Sequence, residues 1–156
     1  MIYAVLKLLH VLSIVFWVGG MAFAHFCLRP SVQLLEPPDR LRLLQAVMKR
    51  FFAGVLVAAL LALATGLWMI GRVAKESVQA GLNFAMPLDW TIMATLGIVM
   101  IAIFGHIRFA LFKRMSRAVQ ASDWPAAGAA MASIRQWVLV NLVIGVLVIA
   151  IALLMS

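Results

Sequence analysis

The sequence holds a single cysteine, Cys27, which rules out an internal disulfide and a cysteine-based metal cluster. Acidic residues are scarce as well, with five Asp and Glu against thirteen Lys and Arg. There is no catalytic acidic pair, Ser-His-Asp set, phosphate-cradling glycine loop or cysteine motif, so hydrolytic and nucleotide chemistry have no support. Charge of either sign is thin: 12% of residues are charged and 66% are hydrophobic. An ordinary soluble domain has about a quarter charged and about half apolar. Together with a mean hydropathy of +1.11, this is the composition of a membrane protein rather than of a rich core.

What is present fits that class. The length of 156 residues suits one domain. Four spans of about 20 residues with their connections use nearly all of it. The expected fold is all-α, an integral membrane up-down four-helix bundle forming one domain over 1–156, with spans near 2–28, 51–70, 88–112 and 136–154. A net charge of +8 would suggest nucleic acid in a soluble chain. In a bilayer protein the same excess marks the cytoplasmic connections, so the expected partner is the lipid bilayer and not nucleic acid.

The first apolar run, Ile2 to Leu28, is broken only by Lys7, His10, Ser13 and His25 and stops at Arg29-Pro30. Ala22-Phe23-Ala24 has the small-x-small form of a signal-peptide cleavage site, but the basic cluster follows the run instead of preceding it. The segment therefore reads as the first helix. Residues 30–46 read as a polar connection in which Asp39 would cap an amphipathic stretch, and 71–87 as a second connection. Ser122-Asp123-Trp124-Pro125 reads as an N-cap with proline in the first turn of the fourth helix.

Orientation follows from the cations. Ten of the thirteen, namely Arg29, Arg40, Arg42, Lys49, Arg50, Arg108, Lys113, Arg114, Arg117 and Arg135, fall on the first and third connections and the helix ends beside them. By the positive-inside rule both termini are expected on the outer, periplasmic side of a bacterial inner membrane.

Ionisable groups inside a membrane are costly, so each is a functional candidate. His10, Ser13, Trp17, Gly20 and Ala24 recur at spacings of three and four and share one stripe, which should face the bundle. Gly20 and Ala24 would let another helix approach closely. His10 sits about 12 Å in from the outer end at helical rise. Its imidazole either ligates heme iron or copper, or is satisfied by a serine or carbonyl on a neighbouring helix. His25 and His106 fall at one membrane level near the basic end, where Arg108, Lys49 and Arg50 would neutralise heme propionates. They either meet across the bundle as a heme pair or serve as interfacial anchors. Met21, Met69, Met86, Met93 and Met100 offer thioethers but no copper-binding spacing, and methionine in an apolar helix is ordinarily packing. Asn141 suits interhelical hydrogen bonding. Trp68, Trp90, Trp124 and Trp137 lie near span ends, as an aromatic belt would place them.

The opening LKLLHVLSIVFWVGGMAF resembles the first helix of the copper-resistance protein D (CopD) family. So do ATGLWM at the end of the second span and the stretch from LGIVMIAIFGHIRFALFKRM to DWPAAGAAMASIRQWVLVNLVIG. The likeness covers nearly the whole chain, which looks like the small stand-alone CopD-like proteins; full copper-resistance proteins of this name carry additional helices, and the chain resembles only their final four-helix domain. It implies copper movement through the inner membrane. The histidine-tryptophan-glycine pattern is also similar to HemJ-type heme-binding proteins, whose first-helix histidine would match His10. Those proteins carry a third-helix lysine, and no lysine stands here between Lys75 and Lys113.

The expected function is binding of a redox metal centre, heme b or copper, with His10 as ligand and His25, His106 and Arg108 as further cofactor-binding residues. Its setting would be copper homeostasis or membrane electron transfer, with a membrane or periplasmic redox or copper partner and self-association into a homo-oligomer as partner readings. The alternative is a cofactor-free membrane factor that assists assembly of a partner protein.

Overall fold

The computed structural model describes residues 1–155, and among them it holds four long helices and no strand. They are α1 (Ile2–Leu34), α2 (Pro37–Gln79), α3 (Leu88–Gln120) and α4 (Trp124–Leu154), each long and apolar enough to cross a membrane. The up-down order shows in the contacts. His10, Phe16 and Gly20 of α1 meet Gly66, Gly54 and Phe51 of α2, so one helix climbs as the other descends. Met100 and His106 of α3 meet Asn141 and Trp137 of α4 in the same antiparallel sense. The start of α1, the end of α4 and the α2–α3 connection therefore lie at one face. The opposite, basic face carries the α1–α2 and α3–α4 connections.

The helices run well beyond the apolar runs. At about 1.5 Å per residue, α2 alone is about twice the thickness of a bilayer's hydrocarbon. The segment 30–46 is not an open connection, because only Leu35 and Glu36 separate α1 from α2. Pro37 and Pro38 occupy the opening positions of α2, where a missing N–H costs nothing. Asp39 does not cap that helix. It stands within the first turn and pairs with Arg42 at 3.5 Å. Likewise α2 continues to Gln79, past the expected end at residue 70. Asp123 does cap α4, accepting from the backbone N–H of Ala126 at 3.2 Å, with Pro125 in the first turn.

Past the span ends, α2, α3 and α4 form a small amphipathic extension at the basic face. It buries Leu41, Leu44, Met115, Ala127 and Ala130 while exposing its charges. Trp124 packs there under the Arg42 guanidinium, 5.0 Å from the ring centroid, as well as standing near a span end.

Toward the middle of the bundle the helices meet on interlocking rings. Phe52 packs edge-on against Phe104 and Phe112 at 6.0 and 5.4 Å, and Trp17 against Phe104 at 5.9 Å. Each such pair is worth about 0.5–1.5 kcal/mol beyond burial. Lipid tails are as apolar as the core, so shape fit of this kind matters more here than hydrophobicity. Gly20 does admit a close neighbour, but it is the Phe51 ring rather than a helix backbone, and Gly54 admits Phe16 in return. Asn141, 1% exposed, donates to the Met100 carbonyl at 3.2 Å and ties α4 to α3. Outward-facing Leu12, Val15, Leu60, Val143 and Leu147 are each more than half exposed. Such a surface suits contact with lipid and not with water.

Two π-helical turns interrupt the ladders, Ala24–Leu28 in α1 and Ile107–Leu111 in α3. Wide turns of this kind recur at functional sites. The first ends two residues before Pro30, which has no N–H to give to the ladder. His25 sits inside the first turn, and His106 immediately precedes the second.

Candidate functional site

The stripe on α1 faces inward as its spacing requires, with Ser13 and Trp17 buried and His10 and Gly20 half-buried. His10 packs against α2 at its one polar side chain between Phe51 and Trp68, the hydroxyl of Thr65. Its Nδ1 lies 2.9 Å from the Ala62 carbonyl oxygen and 3.1 Å from Thr65 Oγ1. A carbonyl can only accept, so Nδ1 carries the proton and donates. The Thr65 hydroxyl gives its own hydrogen to the Leu61 carbonyl at 2.5 Å and is left to accept from the imidazole.

This bonding fixes the tautomer. With Nδ1–H committed to α2, the neutral ring has its lone pair on Nε2, which among the described residues has no hydrogen-bond partner. A metal-ligating histidine is ordinarily held this way, its second nitrogen donating to a carbonyl or carboxylate that sets ring orientation and basicity. Gly66 completes the seat, since a β-carbon there would stand 3.3 Å from His10 Cε1, tighter than most contacts. Thr65 and Gly66 fall within the ATGLWM stretch, and Met69 follows Thr65 by one helical turn on the same face.

The other candidates have separate neighbours. His25 lines a cavity of about 150 Å³ at the basic face. His106 is exposed and stacks edge-on against Trp137 at 5.5 Å, and it is not part of that cavity's wall. Arg108 is half-buried with its guanidinium over the Phe109 and Phe112 rings at 5.6 and 5.5 Å. Among the candidate thioethers, Met21 and Met100 are 2% exposed in the core. Among the described residues, no three His, Cys, Asp or Glu side chains gather closely enough to hold a metal ion by themselves.

A donor set of this kind fits a centre anchored by one imidazole, whether iron in a porphyrin or copper completed by a thioether or a second molecule. It does not fit a closed site of three nitrogen or oxygen ligands. The two residues that define the His10 seat were not paired with it by sequence reasoning. The available signal was that Thr65 is the only polar side chain in the second span.

Residues 45–155 match the family model described as copper resistance protein D. The chain belongs to the copper resistance protein D family. No curated protein and no solved structure matches it. The matched segment takes in most of α2, including Ala62, Thr65 and Gly66, and all of α3 and α4. His10 lies ahead of it. A copper resistance protein D assignment and four long apolar helices together make this a multi-pass membrane protein.

Proposed function

We propose that this copper resistance protein D family member binds a redox metal centre, copper or heme b, through Nε2 of His10. Its work would then be copper handling or electron transfer within the membrane. The observation that carries the reading is the donation from His10 Nδ1 to the Ala62 carbonyl, which leaves the opposite nitrogen free. A bound centre of either kind would accept and give up one electron. The chain's own contribution is to fix the imidazole's orientation through Nδ1, to aim it from α1, and to surround it with apolar side chains.

The family favours copper, and the lone imidazole suits heme equally well. Metal analysis and an absorbance spectrum of the purified protein separate the two, because heme gives a Soret band and copper does not. His10→Ala should remove the bound centre while the bundle still inserts. The Ala62 carbonyl keeps its ordinary helical position in the α2 ladder, so loss of the imidazole should cost about 1 kcal/mol, as for other interhelical bonds in membranes. Equal metal and heme content in wild-type and His10→Ala protein would overturn the proposal and leave the cofactor-free assembly role.

A further inference from the structure

The cavity at the basic face has a composition unlike the rest of the bundle. Its rim carries His25, Arg29, Arg40 and Arg135, and Leu41 and Leu44 stand in its wall. No carboxylate lines it. Arg40 is committed to the chain itself, donating from Nε to the Val32 carbonyl at 3.2 Å and from Nη2 to the Leu35 carbonyl at 2.9 Å. That arrangement braces the α1–α2 corner. Arg29 and Arg135 are half-buried, and among the described residues their guanidinium groups have no ion pair and no hydrogen bond. Half-burying an unpaired guanidinium is costly, so a counter-anion from outside the chain is called for.

The position says what kind of anion. The cavity lies where the apolar run of α1 gives way to Arg29-Pro30 and the amphipathic extension begins, a level that suits lipid headgroups. Basic pockets between helices at such a level bind anionic headgroups. The apolar part of the wall suits the start of a lipid's glycerol and acyl region and would be wasted on a free ion. A zwitterionic lipid would bring an ammonium that finds no carboxylate here.

We propose that the cavity between α1, the start of α2 and the start of α4 holds the phosphate of an anionic phospholipid, gripped by Arg29 and Arg135. The lipid seals the α1–α2 corner to the α4 end of the extension. This site is separate from the His10 seat and independent of what that seat binds.

Gly128 gives a direct test, because it lines the cavity and a β-carbon there meets nothing within 4 Å. Gly128→Leu therefore brings bulk into the cavity from a position with room for the β-carbon, without altering charge. The full chain is to be exchanged into phosphatidylglycerol or phosphatidylcholine micelles and the retained lipid read by native mass spectrometry. Wild-type protein should retain phosphatidylglycerol selectively. Arg29→Gln and Arg135→Gln should each weaken retention about fivefold, the increment of one interfacial cation. Gly128→Leu should abolish it, and Arg50→Gln, outside the cavity wall, should leave it unchanged. Equal retention of both lipids, or no effect of Gly128→Leu, would overturn the proposal. So would displacement of the lipid by inorganic phosphate alone, which would make this a site for free phosphate. If either arginine variant fails to insert, the Gly128→Leu result decides.

Discussion

The contact between Gly66 and His10 lends itself to a quantitative test. A β-carbon at Gly66 would stand 3.3 Å from His10 Cε1 and 3.6 Å from Nδ1. The ring would have to retreat by a few tenths of an ångström, and it is held in place by bonds of 2.9 and 3.1 Å. Overpacking of a well-fitted site costs about 1–3 kcal/mol, and a displacement this small belongs at the low end. Replacing glycine by alanine inside a helix also gains up to about 1 kcal/mol in propensity, so Gly66→Ala alone should look nearly neutral. A double-mutant cycle with His10→Ala removes the propensity part, because alanine at 66 gains the same amount in both backgrounds. The expected coupling is about 1 kcal/mol, with Gly66→Ala becoming clearly stabilising once the imidazole is gone. Gly97→Ala, whose β-carbon meets nothing within 4 Å, should show no coupling to His10→Ala. Reversible unfolding in mixed micelles measures all six proteins. Coupling below about 0.3 kcal/mol, the scatter expected for independent sites, would mean that the ring does not rest on Gly66. The seat described for His10 would then be wrong.

Two further expectations concern the ends of the bundle. Reporter fusions to the C-terminus should be active on the periplasmic side, and cysteines replacing Arg29 and Arg114 should label only from the cytoplasm; a C-terminal reporter active only in the cytoplasm would reverse the assigned orientation. His25→Ala and His106→Ala should leave any heme spectrum unchanged, since the two histidines have different neighbours. Loss of the same spectral species in both variants would restore them as a joint heme pair.

The spans were legible from the sequence because lipid demands long apolar runs, and hydropathy reports that demand directly. The helix ends were less so. A helix that leaves the hydrocarbon stops needing apolar residues on every face, so the amphipathic start of α2 around Arg40 and Arg42 reads as connection although it is helical. The same holds for residues 71–79, where Arg72 pairs with Glu76 one turn on at 2.9 Å. Asp123 was readable because a cap acts through the few residues next to it. The π-helical turns at His25 and His106 left no comparable local signature. For the site, the 3–4 spacing of His10, Ser13 and Trp17 identified the inward face of α1. It could not name Thr65 as the partner, because that depends on the register between two helices, which is set by how Phe16 and Phe51 seat on Gly54 and Gly20.

Copper and heme make different demands on the single imidazole. An iron porphyrin arrives with four nitrogens already in place, so one histidine is enough to fix it axially. A bare copper ion gains little from one nitrogen and needs a second soft or nitrogenous ligand. Within this chain Met69 is the thioether placed by register on the face that receives His10. If copper is the centre, Met69→Leu should therefore lower its retention along with His10→Ala, while heme retention would depend on His10 alone. The family match bears on this choice as well. It spans residues 45–155 and so includes Ala62, Thr65, Gly66 and Met69 on α2, whereas His10, the proposed ligand, stands on α1 ahead of it. A copper site shared between Met69 and His10 would join the matched segment to the preceding helix through the metal.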